Sequence, residues 1–178
     1  MRTSLRQLFH YTSRARLGKI LQSRAIMPDL TAHDPILHGK APLVWVSAIT
    51  PWDPVCRATL ELDPMGWPHL IPGKVPGAPY CAARILVTGN VAKPWAALLT
   101  DNGADEFAIF KLAQTGYDSG SDPEQWYVCQ GPISVCFWQD VQIWNGMLWE
   151  TFDNSGDLWS MGDLDAYTTL HGYKNEAN

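Results

Sequence analysis

The chain has 178 residues, 46% hydrophobic and only 17% charged, which suits one compact domain, or one domain with an extension, with a buried core, and does not match the composition of a disordered chain. A net charge of -5 argues against general affinity for nucleic acid through phosphate neutralisation, and no apolar run approaches the length that spans a bilayer. The four cysteines form no C-x-x-C pair and no regular spacing, so neither a zinc ribbon nor a disulfide framework is signalled; reduced thiols in a soluble, cytoplasmic protein are the expectation.

The stretch Leu8 to Pro28 (LFHYTSRARLGKILQSRAIMP) reads as a strand, a capped helix and an exit. Leu8 and Phe9 begin an apolar strand with His10 and Tyr11 at its end, and Thr12 or Ser13 can cap the helix that follows by accepting from its free N–H groups. Leu17, Ile20 and Leu21 then form one apolar stripe able to lie on a sheet, and Pro28 closes the unit. A histidine delivered to a strand end beside a helix N-terminus is well placed for an anionic ligand.

From Asp29 to Pro42 the sequence is loop-like. His33 and His38 with Asp29 and Asp34 match no helix face and no standard zinc pattern, so no metal is expected, and a substrate-covering loop is the functional alternative to plain solvated residues. Leu43 to Ser47 (LVWVS) is the second strand, with Val44 and Val46 on one face and Leu43, Trp45 and Ser47 on the other. After the Thr50 to Pro54 turn, Cys56 to Leu62 reads as a further strand. Asp63 to Pro79 is so dense in proline and glycine that no regular element is expected there.

Arg84 to Thr88 resumes as a buried strand, Pro94 to Leu99 reads as a helical turn, and Ala104 to Gln114 as a second helix ending before Gly116. The turn cluster Tyr117 to Pro123 delivers Glu124 to the mouth of the strand Gln125 to Cys129. Strands follow at Ile133 to Trp138, Val141 to Trp144 and Met147 to Phe152, with Asn145-Gly146 giving a hairpin signal between the last two. Two helices against about seven strand-like runs make the fold α+β, with a mixed, largely antiparallel sheet system.

No nucleophile elbow, phosphate loop or H-E-x-x-H stretch occurs. What remains is a constellation of His10 on the first strand, Ser47 ending the second and Glu124 opening a late one. In this order the chain resembles the ADP-ribosyltransferase superfamily, whose first strand ends in His or Arg, whose second carries Tyr or Ser, and whose later strand begins near a catalytic Glu. Phe9-His10-Tyr11-Thr12 is similar to the H-x-T element of the His-type branch; Trp45-Val46-Ser47 and Asp122-Pro123-Glu124-Gln125-Trp126 stand in the other two places, with Trp45 where a Tyr is usual.

The resemblance implies a split mixed β-sandwich with few helices, an NAD-binding domain over residues 1–152 and a C-terminal extension over 153–178. It implies NAD as substrate, cleavage of the nicotinamide glycosidic bond, and transfer of ADP-ribose to a protein or nucleic-acid acceptor. Glu124 and His10 would be catalytic, and His10, Tyr11, Thr12, Trp45 and Ser47 would bind NAD. Two other readings stand beside it: an NAD glycohydrolase on the same fold, and a non-enzymatic module whose Trp-rich sheet presents aromatic anchors to a partner.

Overall fold

The computed structural model describes residues 6–28, 41–62, 68–72, 81–145 and 147–152. In chain order these give β1 (Gln7–Thr12), α1 (Arg14–Ser23), β2 (Ala25–Ile26), β3 (Leu43–Ser47), a 3-10 turn (Pro54–Arg57), β4 (Ala58–Leu62), β5 (Pro68–Pro72), β6 (Ala83–Thr88) and β7 (Lys93–Pro94). There follow α2 (Trp95–Asp101), α3 (Glu106–Asp118), a 3-10 turn (Pro123–Gln125), β8 (Trp126–Gln130), β9 (Ile133–Ser134), a 3-10 turn (Val135–Phe137), β10 (Trp138–Trp144) and β11 (Trp149–Thr151). Helices and a mostly antiparallel sheet make the fold α+β.

Seven strands hydrogen-bond in the order β11-β10-β6-β1-β3-β8-β7, and two short ribbons, β2-β9 and β4-β5, stand apart. Every pairing among the described residues is antiparallel. β1 is central because its alternation is apolar on both sides: Leu8 is fully buried on one face and Phe9 nearly so on the other. α1 starts where Ser13, in extended backbone, accepts from the Arg16 N–H, and ends at Arg24, whose left-handed φ of 54° releases the chain into β2. Its buried Leu17 and Leu21 lie on Leu8, Val44, Val46, Ile85 and Val87. The opposite face carries Trp95, Leu98 and Leu99 of α2 against Leu43, Trp126 and Val128.

Several sequence expectations need correction. A strand, β5, does form within the Pro/Gly-rich excursion, because Pro68 and Pro72 fall at its two ends, where a missing N–H costs the ladder least. The second helix begins at Glu106, since Asp105 is its cap and accepts from the Ala108 N–H, and it runs on through Gly116 to Asp118. The run Ile133 to Trp138 breaks into β9 and a 3-10 turn, while Trp138 joins the next run as one strand. The β10-β11 hairpin turns through a four-residue loop, with Trp144 opposite Trp149; the Asn145 side chain accepts from the Met147 and Leu148 N–H groups and so builds the turn itself. Residues 1–5, 29–40, 63–67, 73–80, Gly146 and the 153–178 extension lie outside the described residues, and with them the expected covering loop and its His33, His38, Asp29 and Asp34.

Candidate functional site

His10 is half-buried in the middle of β1. Its Nδ1 is 3.0 Å from the Trp45 carbonyl on the neighbouring strand. A carbonyl can only accept, so Nδ1 carries the proton; in the neutral ring Nε2 is then an acceptor. Neutrality is favoured because burial lowers the His10 pKa from its ordinary 6.5, and the Arg16 charge adds to that, against the hydrogen bond to Trp45, which raises it. Alternation along β1 puts Leu8, His10 and Thr12 on one face, the face covered by α1. Thr12 is buried there, next to the Ser13 cap.

Tyr11 points to the other face, where the chain has built a dense aromatic and cationic cluster. Its hydroxyl donates to the Ile49 carbonyl at 2.6 Å and lies 3.3 Å from that of Pro51, and its ring packs on Trp52 and Trp149 at centroid distances of 6.1 Å. Burial pushes the phenol pKa well up, against the opposing influence of the Arg84 guanidinium. Arg84 is itself buried, as the second residue of β6. It donates through Nε to the Gln142 side chain at 2.6 Å and through Nη1 to the Pro51 carbonyl at 3.0 Å, and it stacks over Phe9 and Trp149. Burial lowers its pKa, countered by Tyr11 and Asp140, yet a guanidinium keeps its charge in a protein.

Trp45 and Ser47 share the face of Tyr11, not that of His10. The Trp45 ring lies among Trp95 and Trp126 at 6.0 and 6.1 Å. Ser47 is buried, and its hydroxyl accepts from the Ile49 N–H at 3.1 Å, which turns the chain as it leaves β3.

Glu124 is exposed on the 3-10 turn before β8, with its backbone N–H donating to the Asp122 side chain at 3.1 Å. That turn is strongly tied. Trp95 Nε1 donates to the Pro123 carbonyl at 2.8 Å, and the Ala48 N–H donates to the Gln125 carbonyl. Fully buried Asp53 accepts from Ser121 Oγ at 2.6 Å, Trp126 Nε1 at 2.8 Å and the Val55 N–H at 3.2 Å.

Phe9, Ser47 and Trp126 define one row across β1, β3 and β8. His10 lies one position to one side of that row, and Glu124 two positions to the other. His10 and Glu124 are two strands apart, about 10 Å across the sheet at about 4.8 Å per strand, with a further offset along it. The structure thus brings His10 and Thr12 together, groups Tyr11, Trp45 and Ser47 on the reverse face, and sets Glu124 apart on its own clamped turn.

Two residues that organise this region escaped the sequence reading. Arg84 had a visible signal, a charge inside an otherwise apolar strand. Asp53 had none beyond its Trp-Asp-Pro turn, because its partners are 68 and 73 residues away. Among the described residues no group of His, Cys, Asp and Glu is arranged to hold a metal ion, and no helix is long and apolar enough to cross a membrane. Comparison with protein-family models, with curated proteins and with solved structures finds no match to this chain.

Proposed function

We propose that this protein is an NAD-dependent ADP-ribosyltransferase, which cleaves the bond between nicotinamide and ribose and passes ADP-ribose to a macromolecular acceptor. The observation that carries the reading is the state of His10: a neutral imidazole on the central strand, its Nδ1–H donated to the Trp45 carbonyl, its Nε2 left as an acceptor. Such a nitrogen can accept from a ribose hydroxyl. Thr12 two residues on, on the same face, and the Ser13-capped start of α1 complete the strand-to-helix element on which the family resemblance rests.

The fold reading that goes with the proposal is the split β-sandwich of that superfamily, in residues 1–152, acting in the cytoplasm. Four free thiols agree with a reducing compartment. Glu124 supplies the charge. As the glycosidic bond breaks, nicotinamide leaves with the bonding electrons and positive charge develops on the ribose, which a fixed carboxylate stabilises. The ties that hold the Glu124 backbone while leaving its side chain exposed suit that task. The separation of His10 and Glu124 is one that an extended dinucleotide can bridge.

The reading of the Trp-rich sheet as a bare docking module draws less support, since Trp52, Trp144 and Trp149 pack on one another and on Tyr11 and are only half-exposed. Incubating the purified protein with labelled NAD, with and without cell lysate, tests the proposal. Label on macromolecules supports transfer, nicotinamide release without label indicates the glycohydrolase, and neither product overturns both. Glu124→Gln keeps shape and hydrogen bonding but removes the charge, and turnover is expected to fall on the order of 10² to 10³, or about 3 to 4 kcal/mol at the barrier, with folding unchanged.

A further inference from the structure

The inner face of α3 packs on the domain through buried Ala108 and Gly116 and through Ile109, Leu112 and Ala113, which lie on the core around Trp95 and Trp126. Its outer face is also apolar. Phe107, Phe110 and Tyr117 are 51%, 60% and 50% exposed there, and Gln114 is exposed between them. They stay exposed although β5 runs beside α3. At about 100° per residue these four positions fall within about 80° of arc, in the i, i+3, i+7, i+10 spacing of a seam between two helices. The Phe107 and Phe110 rings are stacked with centroids 6.5 Å apart, so they present one surface. Single apolar side chains on a surface are ordinary, whereas a stripe in helical register marks a contact.

We propose that α3 is a self-association surface, on which two copies of this chain pair their α3 helices side by side and parallel, with Phe107, Phe110, Gln114 and Tyr117 at the seam. The charges on its rim select the occupant. With Phe107 and Phe110 as the seam positions a and d, Glu106 is at g and Lys111 at e, and in a parallel pair the g residue of one helix faces the e residue five positions on in the other. Glu106 of each copy therefore meets Lys111 of the other, twice by symmetry. The Lys111 ammonium is 5.4 Å from the Phe107 ring centroid, which sets it at the edge of the seam. An antiparallel pair in full overlap has its centre near residue 112 and brings the two Lys111 together instead. The helix is formed before pairing, since Asp105 caps it by accepting from the Ala108 N–H and its inner face is packed, so association orders little. An aromatic side chain carries about 150 to 250 Å². Half of that on three rings is roughly 300 Å² per copy and roughly 600 Å² for the pair, below the usual size of a stable interface. The dimer is therefore weak and reversible, with a Kd in the range of roughly tens to hundreds of micromolar. None of this depends on the proposed transferase activity.

The test is sedimentation equilibrium of the full-length protein from about 5 to 500 μM, a span that brackets so small an interface. The mass of the wild type should rise from monomer toward dimer with concentration, and Phe110→Glu should hold it at monomer, a Kd raised more than tenfold. Tyr117→Glu repeats the test on the same seam should Phe110→Glu fold poorly. Glu106→Lys and Lys111→Glu each set like charges across the seam and should raise the Kd about three- to tenfold. The double variant exchanges the charges and should return to within about twofold of wild type. Residues five apart do not face each other on one helix, so that recovery reports contact between copies. A wild type that stays monomeric throughout overturns the proposal. In that case Phe110→Glu separates the alternatives: a lowered urea midpoint gives the face to another part of the same chain, and an unchanged one to a different partner. A dimer that Phe110→Glu leaves intact also overturns it, and one without recovery in the double variant overturns the parallel arrangement.

Discussion

On one face of the seven-stranded sheet Leu8, Val44, Val46, Ile85, Val87 and Ile143 meet Leu17 and Leu21 of α1, whereas on the other the volume is filled by Trp45, Trp95 and Trp126 and, further along, by Trp52, Trp144 and Trp149. Aliphatic side chains ask only for close packing and removal from water. An indole also carries an N–H that must find an acceptor when buried. Trp95 finds the Pro123 carbonyl, Trp126 finds Asp53, and Trp149 finds the Pro51 carbonyl. The aromatic face is thus tied to the irregular segments around it, and one of these holds Glu124. On the aliphatic face the Trp138 indole makes one tie of this kind, to the Ile133 carbonyl at 3.3 Å. His10, set among the hydrocarbon of that face, loses hydration and stays neutral.

The largest difference between the faces should appear on deleting the carboxylate that serves the aromatic one. Asp53→Ala removes the acceptor shared by Ser121 and Trp126; Trp126 Nε1 keeps Ser121 Oγ at 3.1 Å, while the buried Ser121 hydroxyl loses its carboxylate. We expect a loss of about 2 to 4 kcal/mol. Ile85→Val, one methylene from the aliphatic face, should cost about 0.5 to 1.5 kcal/mol. Urea unfolding of both variants measures this. If Asp53→Ala costs no more than Ile85→Val, the aromatic face is held by its packing, not by its polar ties.

The same contrast explains what could be read from the sequence. The alternation of LVWVS assigned Val44 and Val46 to one face and Leu43, Trp45 and Ser47 to the other, as found, because period-two burial is a local property. The spacing of Leu17 and Leu21 and the Ser13 cap are local in the same way. The grouping of Tyr11 with Trp52, Trp149 and Arg84 was not legible, since it depends on which strands become neighbours. Nor could motif order show that His10 and Trp45 share a hydrogen bond while their side chains occupy opposite faces. A motif read along the chain lists residues without their faces. The β5 strand was hidden by its own prolines, which sit at its ends.

Gly116 offers a smaller and sharper test. Read locally it marks the end of a helix, but α3 continues through it. The reason is packing: a Cβ there would fall 2.5 Å from Trp126 Cη2 and 2.6 Å from Pro123 Cγ. Both belong to rigid rings already held by hydrogen bonds, so neither can yield cheaply. Gly116→Ala gains about 1 kcal/mol of helix propensity and loses about 1 to 3 kcal/mol to overpacking. Net destabilisation is expected in urea unfolding. A variant more stable than wild type would mean that the Trp126 ring can move, and that the aromatic face is looser than its ties imply.

The smallest effect belongs to His10 and carries the most information about the aliphatic face. Burial lowers its folded pKa below the ordinary 6.5, so as pH falls through that value the unfolded chain takes up a proton that the folded protein refuses. Stability is therefore full above about pH 6.5 and declines as pH falls toward the folded pKa, below which this contribution levels off. His10→Gln keeps a donor for the Trp45 carbonyl but does not titrate. The other four histidines are common to both proteins, so the difference between the two urea midpoints, followed from neutral pH downward, isolates His10. The wild type should lose ground to the variant as the pH falls. Parallel curves would mean that His10 is as well hydrated when folded as when unfolded, and the neutral Nε2 acceptor on which the proposed ribose contact rests would lose its physical basis.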